Sequence, residues 1–328
     1  MRLEFLKNTS SSQFTLPIMC VIATLLWTLL PVEHTQIISD CQYGLWSLMP
    51  ASITDGSGSI YIGYIFAALA VFLLAKFTNV FVLLRISSRM LSSTLALFLG
   101  CILCLHTLFP GHVVMLCVIL SFFALFATYQ LPAPVPTLLA YLFISTGSLV
   151  FPKLLLFVPV YWLCQIYLRS LSFRCFFASL FGVLLPYWFF FAASLCFEGG
   201  IQHFVAVCEE IIDFDMPDWT AVQLTDILIF AYIFVFFLFG AVDFWAKSFL
   251  DKTRTRIIYK TIIAHAFFTA LFIILQPSCL HVLLAILIID SALIGGHFIT
   301  LTYNFFSHIY TLIMLTLLIL LVIAQIVL

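Results

Sequence analysis

Long apolar runs alternate with short polar gaps along the whole chain, and the runs define the elements. They are Phe14–Leu30, Ile60–Leu84, Leu91–Phe109, His112–Thr128, a fifth that follows the Leu131–Pro136 turn to about Val150, and a sixth to about Leu168. Five more follow: Cys175–Phe197, Ala221–Ala246, Ile257–Gln276, Cys279–Leu301 and Phe305–Leu328. A helix of about 20 apolar residues, rising 1.5 Å per residue, crosses roughly 30 Å of hydrocarbon. The runs are too uniformly apolar for barrel strands, which alternate, and a helix closes its backbone hydrogen bonds within itself, as hydrocarbon requires. Pro110-Gly111, the prolines at 132, 134 and 136, and Phe151-Pro152-Lys153 mark turns, since each proline removes a backbone donor. The expected fold is an all-α polytopic transmembrane helix bundle of about 11 spans, forming one integral membrane domain over residues 1–328.

The gaps sort by charge. The chain carries 13 Lys and Arg and 14 Asp and Glu in 328 residues. Arg2, Lys7, Arg85, Arg89, Arg169, Arg174, Lys247, Lys252, Arg254, Arg256 and Lys260 all fall in alternate gaps, which accounts for eleven of the 13 basic residues. Basic gaps stay in the cytoplasm, so the N-terminus is expected inside and the C-terminus outside. Glu33, Asp40, Asp55 and the acidic stretch 198–218 fall in the opposite gaps. The first run is expected to remain as an uncleaved span, because Pro31-Val32-Glu33-His34 offers no small-x-small cleavage site. Two basic residues break the pattern: Lys76 lies inside a run, and Lys153 lies at an outer turn.

Composition narrows the class further. Hydrophobic residues make up 64% and charged residues 8%, against about 25% charged in soluble domains. The net charge of −1 gives no basic face for nucleic acid. Cys101-x-x-Cys104 sits within a run, where cysteine behaves as a small hydrophobe. It has no companion ligands, so neither a metal site nor a cofactor is expected. Cys41 and Cys208 fall on the same side, which leaves a disulfide between them open. The sequence contains no nucleophile elbow, phosphate loop or paired-histidine zinc motif.

A few polar residues inside the runs are the candidates for function. Asp290 sits mid-run, where a lone carboxylate costs several kcal/mol. His297 returns to the same helix face seven residues later. Ser291 with Gly295, and Ala292 with Gly296, give the small-x-x-x-small spacing that lets another helix approach closely. This set reads either as a proton or ion relay or polar substrate contact, or as a buried hydrogen bond that locks neighbouring helices. Lys76, with Asn79 one turn away, is the second buried-charge candidate, and a Lys76–Asp290 ion pair would account for both charges. Ile201, Phe204, Val205, Cys208, Ile211 and Ile212 recur at helical spacing beside acids, predicting an amphipathic outer segment over about 201–218.

No catalytic residue is read in the first instance, and the bilayer is the expected partner. An enzyme reading stays open beside it. Membrane glycosyltransferases or polymerases acting on polyprenyl-linked sugars place an acid in the first outer loop, where this chain has Glu33 and Asp40. Lys153 would then be the only outer base for a lipid phosphate. A lipid-linked substrate or other membrane proteins are the further partners these readings admit.

The run Phe151-Pro152-Lys153-Leu154-Leu155-Leu156-Phe157-Val158-Pro159, then Leu168-Arg169-Ser170-Leu171-Ser172-Phe173-Arg174, then Gly182 and Leu185-Pro186-Tyr187 resembles a family of uncharacterised multi-span inner-membrane proteins of Bacteroidetes bacteria. The likeness covers about residues 85–190. It implies a bacterial inner membrane and a many-helix fold, and carries no activity.

Overall fold

The structure is a computed structural model that describes residues 14–30, 44–50, 57–85, 88–196, 198–214, 216–220, 222–302 and 305–327. Glu33, Asp40 and Cys41 lie outside the described residues. The helices are α1 (Thr15–Leu29), α2 (Ser57–Phe81), α3 (Met90–Cys101), α4 (Pro110–Ala127), α5 (Pro134–Val150), α6 (Val158–Tyr167), α7 (Phe173–Ser194), α8 (Gly200–Glu210), α9 (Leu224–Lys247), α10 (Thr253–Leu275), α11 (Leu280–Leu301) and α12 (Phe305–Val327). There is no strand among the described residues. Seven helices are long and apolar enough to cross a membrane: α2, α4, α7 and α9 to α12. Four shorter apolar stretches, α1, α3, α5 and Pro152–Tyr167, complete the set.

Contacts between the helix ends fall into two groups. At one end, Arg85 bonds Asp251, the Arg254 guanidinium lies over the rings of Phe81 and Tyr129, and the Gln130 N–H donates to Leu168. At the other, the Trp27 indole donates to Ile60, the Gly44 N–H donates to Glu210, and Gln325 bonds Leu103 and Cys101. Consecutive apolar helices therefore run in opposite directions between an Arg85 end and a Lys153 end.

α11 lies at the centre, packed by α3, α4, α9 and α10. Its apolar window is 100% buried, whereas that of α12 is 22% buried. A helix that is apolar all round can be buried on every side. The small residues of α11 allow this packing. A Cβ on Gly295 would overlap the Phe236 ring of α9, and one on Gly296 would press on the Leu91 backbone of α3. From the α9 side, a Cβ on Gly240 would meet the Ile294 backbone. Thr94 adds a hydrogen bond to the Ala292 carbonyl at 3.2 Å. The outer helices instead leave large apolar side chains exposed, among them Phe181, Trp188 and Phe189 of α7 and Leu312 and Leu320 of α12. A surface of that kind suits lipid contact.

The third run departs from expectation. α3 stops at Cys101, about 18 Å long at helical rise, and passes into a 3-10 turn at Leu103–Leu105. The break is tolerated because protein surrounds it. Gln325 accepts from the Leu103 N–H at 2.8 Å and donates to Cys101 at 3.1 Å. Ser59 accepts from the Leu108 N–H at 2.9 Å. The sixth run likewise opens as a 3-10 turn, Pro152–Phe157, before α6 begins.

The expected amphipathic segment is a helix only over Gly200–Glu210, started by Gly199 at φ +76°. Phe204 packs on Phe190 and Phe191 of α7, and Val207 is buried. Gly44, at φ +45°, sits against the Leu149 carbonyl, where a Cβ would collide. That fit brings its N–H to Glu210 at 3.0 Å and ties α8 to the bundle.

Candidate functional site

The polar centre of the bundle is built on a helical hairpin. α10 and α11 are joined by the 3-10 turn Pro277–Cys279. His265 lies twelve residues before that turn and Asp290 eleven after it, so both stand about 17 Å from it. Their side chains meet: His265 Nδ1 and Asp290 Oδ2 are 2.7 Å apart, and both side chains are 0% exposed. Rings enclose the pair, with Phe122 at 5.0 Å, Phe157 at 5.1 Å and Tyr161 at 5.9 Å from the imidazole.

The hydrogen bond leaves unsatisfied atoms. Asp290 Oδ1 and His265 Nε2 are buried without a partner. An unpaired polar atom in such a place costs about 1–3 kcal/mol. A site built only to lock two helices would be expected to satisfy these atoms. This one keeps an acceptor on the acid and a nitrogen on the base available.

A second pair sits nearer the Arg85 end. His297 Nε2 lies 3.4 Å from Asp251 Oδ2, an ion-pair distance rather than an aligned hydrogen bond. Arg85 Nε donates to Asp251 Oδ1 at 2.7 Å. Burial alone would raise the Asp251 carboxyl, but His297 and Arg85 outweigh it and hold the group below the usual carboxylate range. The Tyr259 ring contacts His297 at 4.5 Å, and its buried hydroxyl has no partner. Beside them Lys247 bonds Asp243, and Thr302 donates to Asp243 at 3.1 Å.

A third contact marks the Lys153 end, where His281 Nε2 and Asp226 Oδ2 lie 3.4 Å apart. Nearby, Lys153 is 4% exposed and donates to Gln276 at 3.5 Å. Glu210, half-buried against the Gly44 N–H, has its carboxyl raised above the usual range, because burial outweighs that hydrogen bond and the Lys153 charge.

The sequence candidates therefore separate. Asp290 occupies the centre, with a partner that periodicity alone does not indicate. His297 shares its helix face but pairs with Asp251. The Lys76–Asp290 ion pair does not form: Lys76 and Asn79 are exposed on α2, and Lys76 Nζ rests 5.9 Å from the Phe72 ring. The reason is helical phase, since Lys76 falls on the outward stripe with Phe72, while Leu74 and Phe77 face the core. Asp251, which the sequence places among five basic residues, is the acid that binds Arg85. A hairpin register counted from Pro277 would have paired His265 with Asp290 and Tyr259 with His297.

Among the described residues, no three His, Cys, Asp or Glu side chains are grouped to hold a metal ion. No protein-family model, curated protein or solved structure matches the chain.

Proposed function

We propose that this chain is a non-catalytic, transporter-like component of the bacterial inner membrane whose working site is the Asp290–His265 pair. The observation that carries the reading is a fully buried acid–base pair with spare valences on both partners, set on the most buried helix. Ionisable residues at membrane depth are costly and mark pathways for ions or polar solutes. In this reading the eleven apolar helices each cross the bilayer, with the Arg85 end in the cytoplasm and the C-terminus outside. The two-ended grouping of contacts supports that path, and so does the gathering of Arg85, Lys247 and Arg254 at one end. The resemblance to Bacteroidetes inner-membrane proteins supports the location.

Asp290→Asn, expressed in cells lacking the chromosomal copy, tests the reading. The variant should insert to wild-type levels and fail to restore the phenotype that deletion produces. Full restoration would leave the pair as a helix lock and favour an assembly role. The glycosyltransferase alternative draws on Glu33 and Asp40, and its only outer base, Lys153, is buried against Gln276 rather than presented to a substrate. Loss of a cell-surface glycan in Glu33→Gln or Asp40→Asn would favour it.

A further inference from the structure

Resting on that reading, we propose that the species handled at Asp290–His265 is a proton, and that it passes to the Arg85 end by way of Tyr259, His297 and Asp251. The hairpin stacks the two polar levels in register: His265 faces Asp290, and Tyr259 faces His297 about 10 Å further along α11. Each station holds an atom that can take up or release a proton. Asp290 Oδ1, His265 Nε2 and the Tyr259 hydroxyl are buried without a partner, and His297 Nε2 faces Asp251 Oδ2 at 3.4 Å. Three unpartnered atoms at two stacked levels fit a relay better than a scaffold, because each of the three is a loss to stability.

The surroundings favour a proton over a metal cation. A hard cation takes about six oxygen ligands, whereas this site offers one carboxylate and one imidazole among Phe122, Phe157 and Tyr161. The other ionisable groups near Asp290 are Tyr161 and Cys164 of α6. Those facing the His297 level are Tyr259, Asp251 and, through Asp251, Arg85.

The transfer changes only N–H and O–H bonds. A proton leaving Asp290 Oδ1 passes by way of the Tyr259 hydroxyl to His297, the imidazolium gives one proton to Asp251 Oδ2, and Asp251 releases it to water at the Arg85 end. Reprotonation of Asp290 runs back along the same stations from that water, so one proton is taken up for each released, and no electron moves. Arg85 is a positioning residue that holds Asp251 toward His297. Leu293 and Ile294 separate the two levels on that face of α11, so passage across this turn is the slow step. His281–Asp226 lies outside the route, because nine residues along a helix turn it to the opposite face.

Infrared difference spectroscopy after a pH jump, on the full chain reconstituted in lipid, tests the route. The wild type should show the carbonyl stretch of one protonated buried carboxyl, absent in Asp290→Asn. His297→Gln should retain that band and slow its appearance about a hundredfold. Tyr259→Phe, which removes only the unpartnered hydroxyl, should slow it in the same sense, and His281→Gln should leave the rate unchanged. A band that persists in Asp290→Asn would overturn the proposal. So would wild-type rates in both His297→Gln and Tyr259→Phe. Either outcome leaves the transport reading to its own complementation test, where a solute other than the proton would still require Asp290.

Discussion

His265 and Asp290 meet at the middle of the bundle because the Pro277–Cys279 turn lies midway between them. A tight hairpin makes the register of its two helices a matter of counting, and the count places a base against an acid where no solvent reaches. Burying the carboxylate alone would cost several kcal/mol. The imidazole offsets part of that cost and leaves one atom on each partner unpaired.

The pair should be strongly non-additive in stability. Removing one member leaves an uncompensated polar group, at about 3–5 kcal/mol, so Asp290→Ala and His265→Ala should each destabilise by about that amount. The double variant should cost clearly less than the sum of the two. A double-mutant cycle on the reconstituted protein, read by reversible unfolding in a mixed micelle, measures the coupling.

Close packing around α11 gives a second prediction. Gly295→Ala places a methyl against the Phe236 ring and should destabilise by about 1–3 kcal/mol. Phe236→Leu in the same chain should recover part of the loss by vacating the space. Thermal unfolding of the single and double variants shows whether the clash is the cause.

Asp251 predicts an acid limb. Its folded value is depressed below an unfolded value of about 3.9. Its contribution is therefore present above that value and lost as pH falls through the folded one. Asp251→Asn should lower stability at neutral pH and flatten the loss below about pH 4. Unfolding curves collected from pH 7 downward provide the comparison.

Glu210 has the opposite sign. Its folded value is raised above an unfolded value of about 4.3. Its favourable contribution is complete below that value and disappears as pH rises through the folded one. Docking of α8 should therefore tighten on acidification, and Glu210→Gln should make it insensitive to pH. Hydrogen-exchange protection of residues 200–210, corrected for intrinsic rates, reports this directly.

The apolar helices were legible from the apolar runs, and Asp290 stood out as a carboxylate in the middle of one of them. Partners were harder to read. In a membrane protein both the core face and the lipid face of a helix are apolar, so periodicity does not separate them. α11 and α12 look equally hydrophobic, yet one is enclosed and the other faces outward. The same ambiguity hid the outward phase of Lys76 and made a Lys76–Asp290 pair attractive. Asp251 was obscured by the basic residues around it, since a charge count over a gap does not show which acid is paired. Sequence signals for His265 and Tyr259 did exist, in their distances from Pro277, but they emerge only when the two helices are read as one hairpin.

The most direct test of the central claim replaces both members of the pair with leucine, His265→Leu together with Asp290→Leu. Exchanging a buried acid–base pair for apolar side chains is often neutral or stabilising, so the bundle should remain folded, and the deletion phenotype should go uncorrected. A stable double variant that restores wild-type behaviour would contradict the account and reduce the Asp290–His265 pair to a packing element.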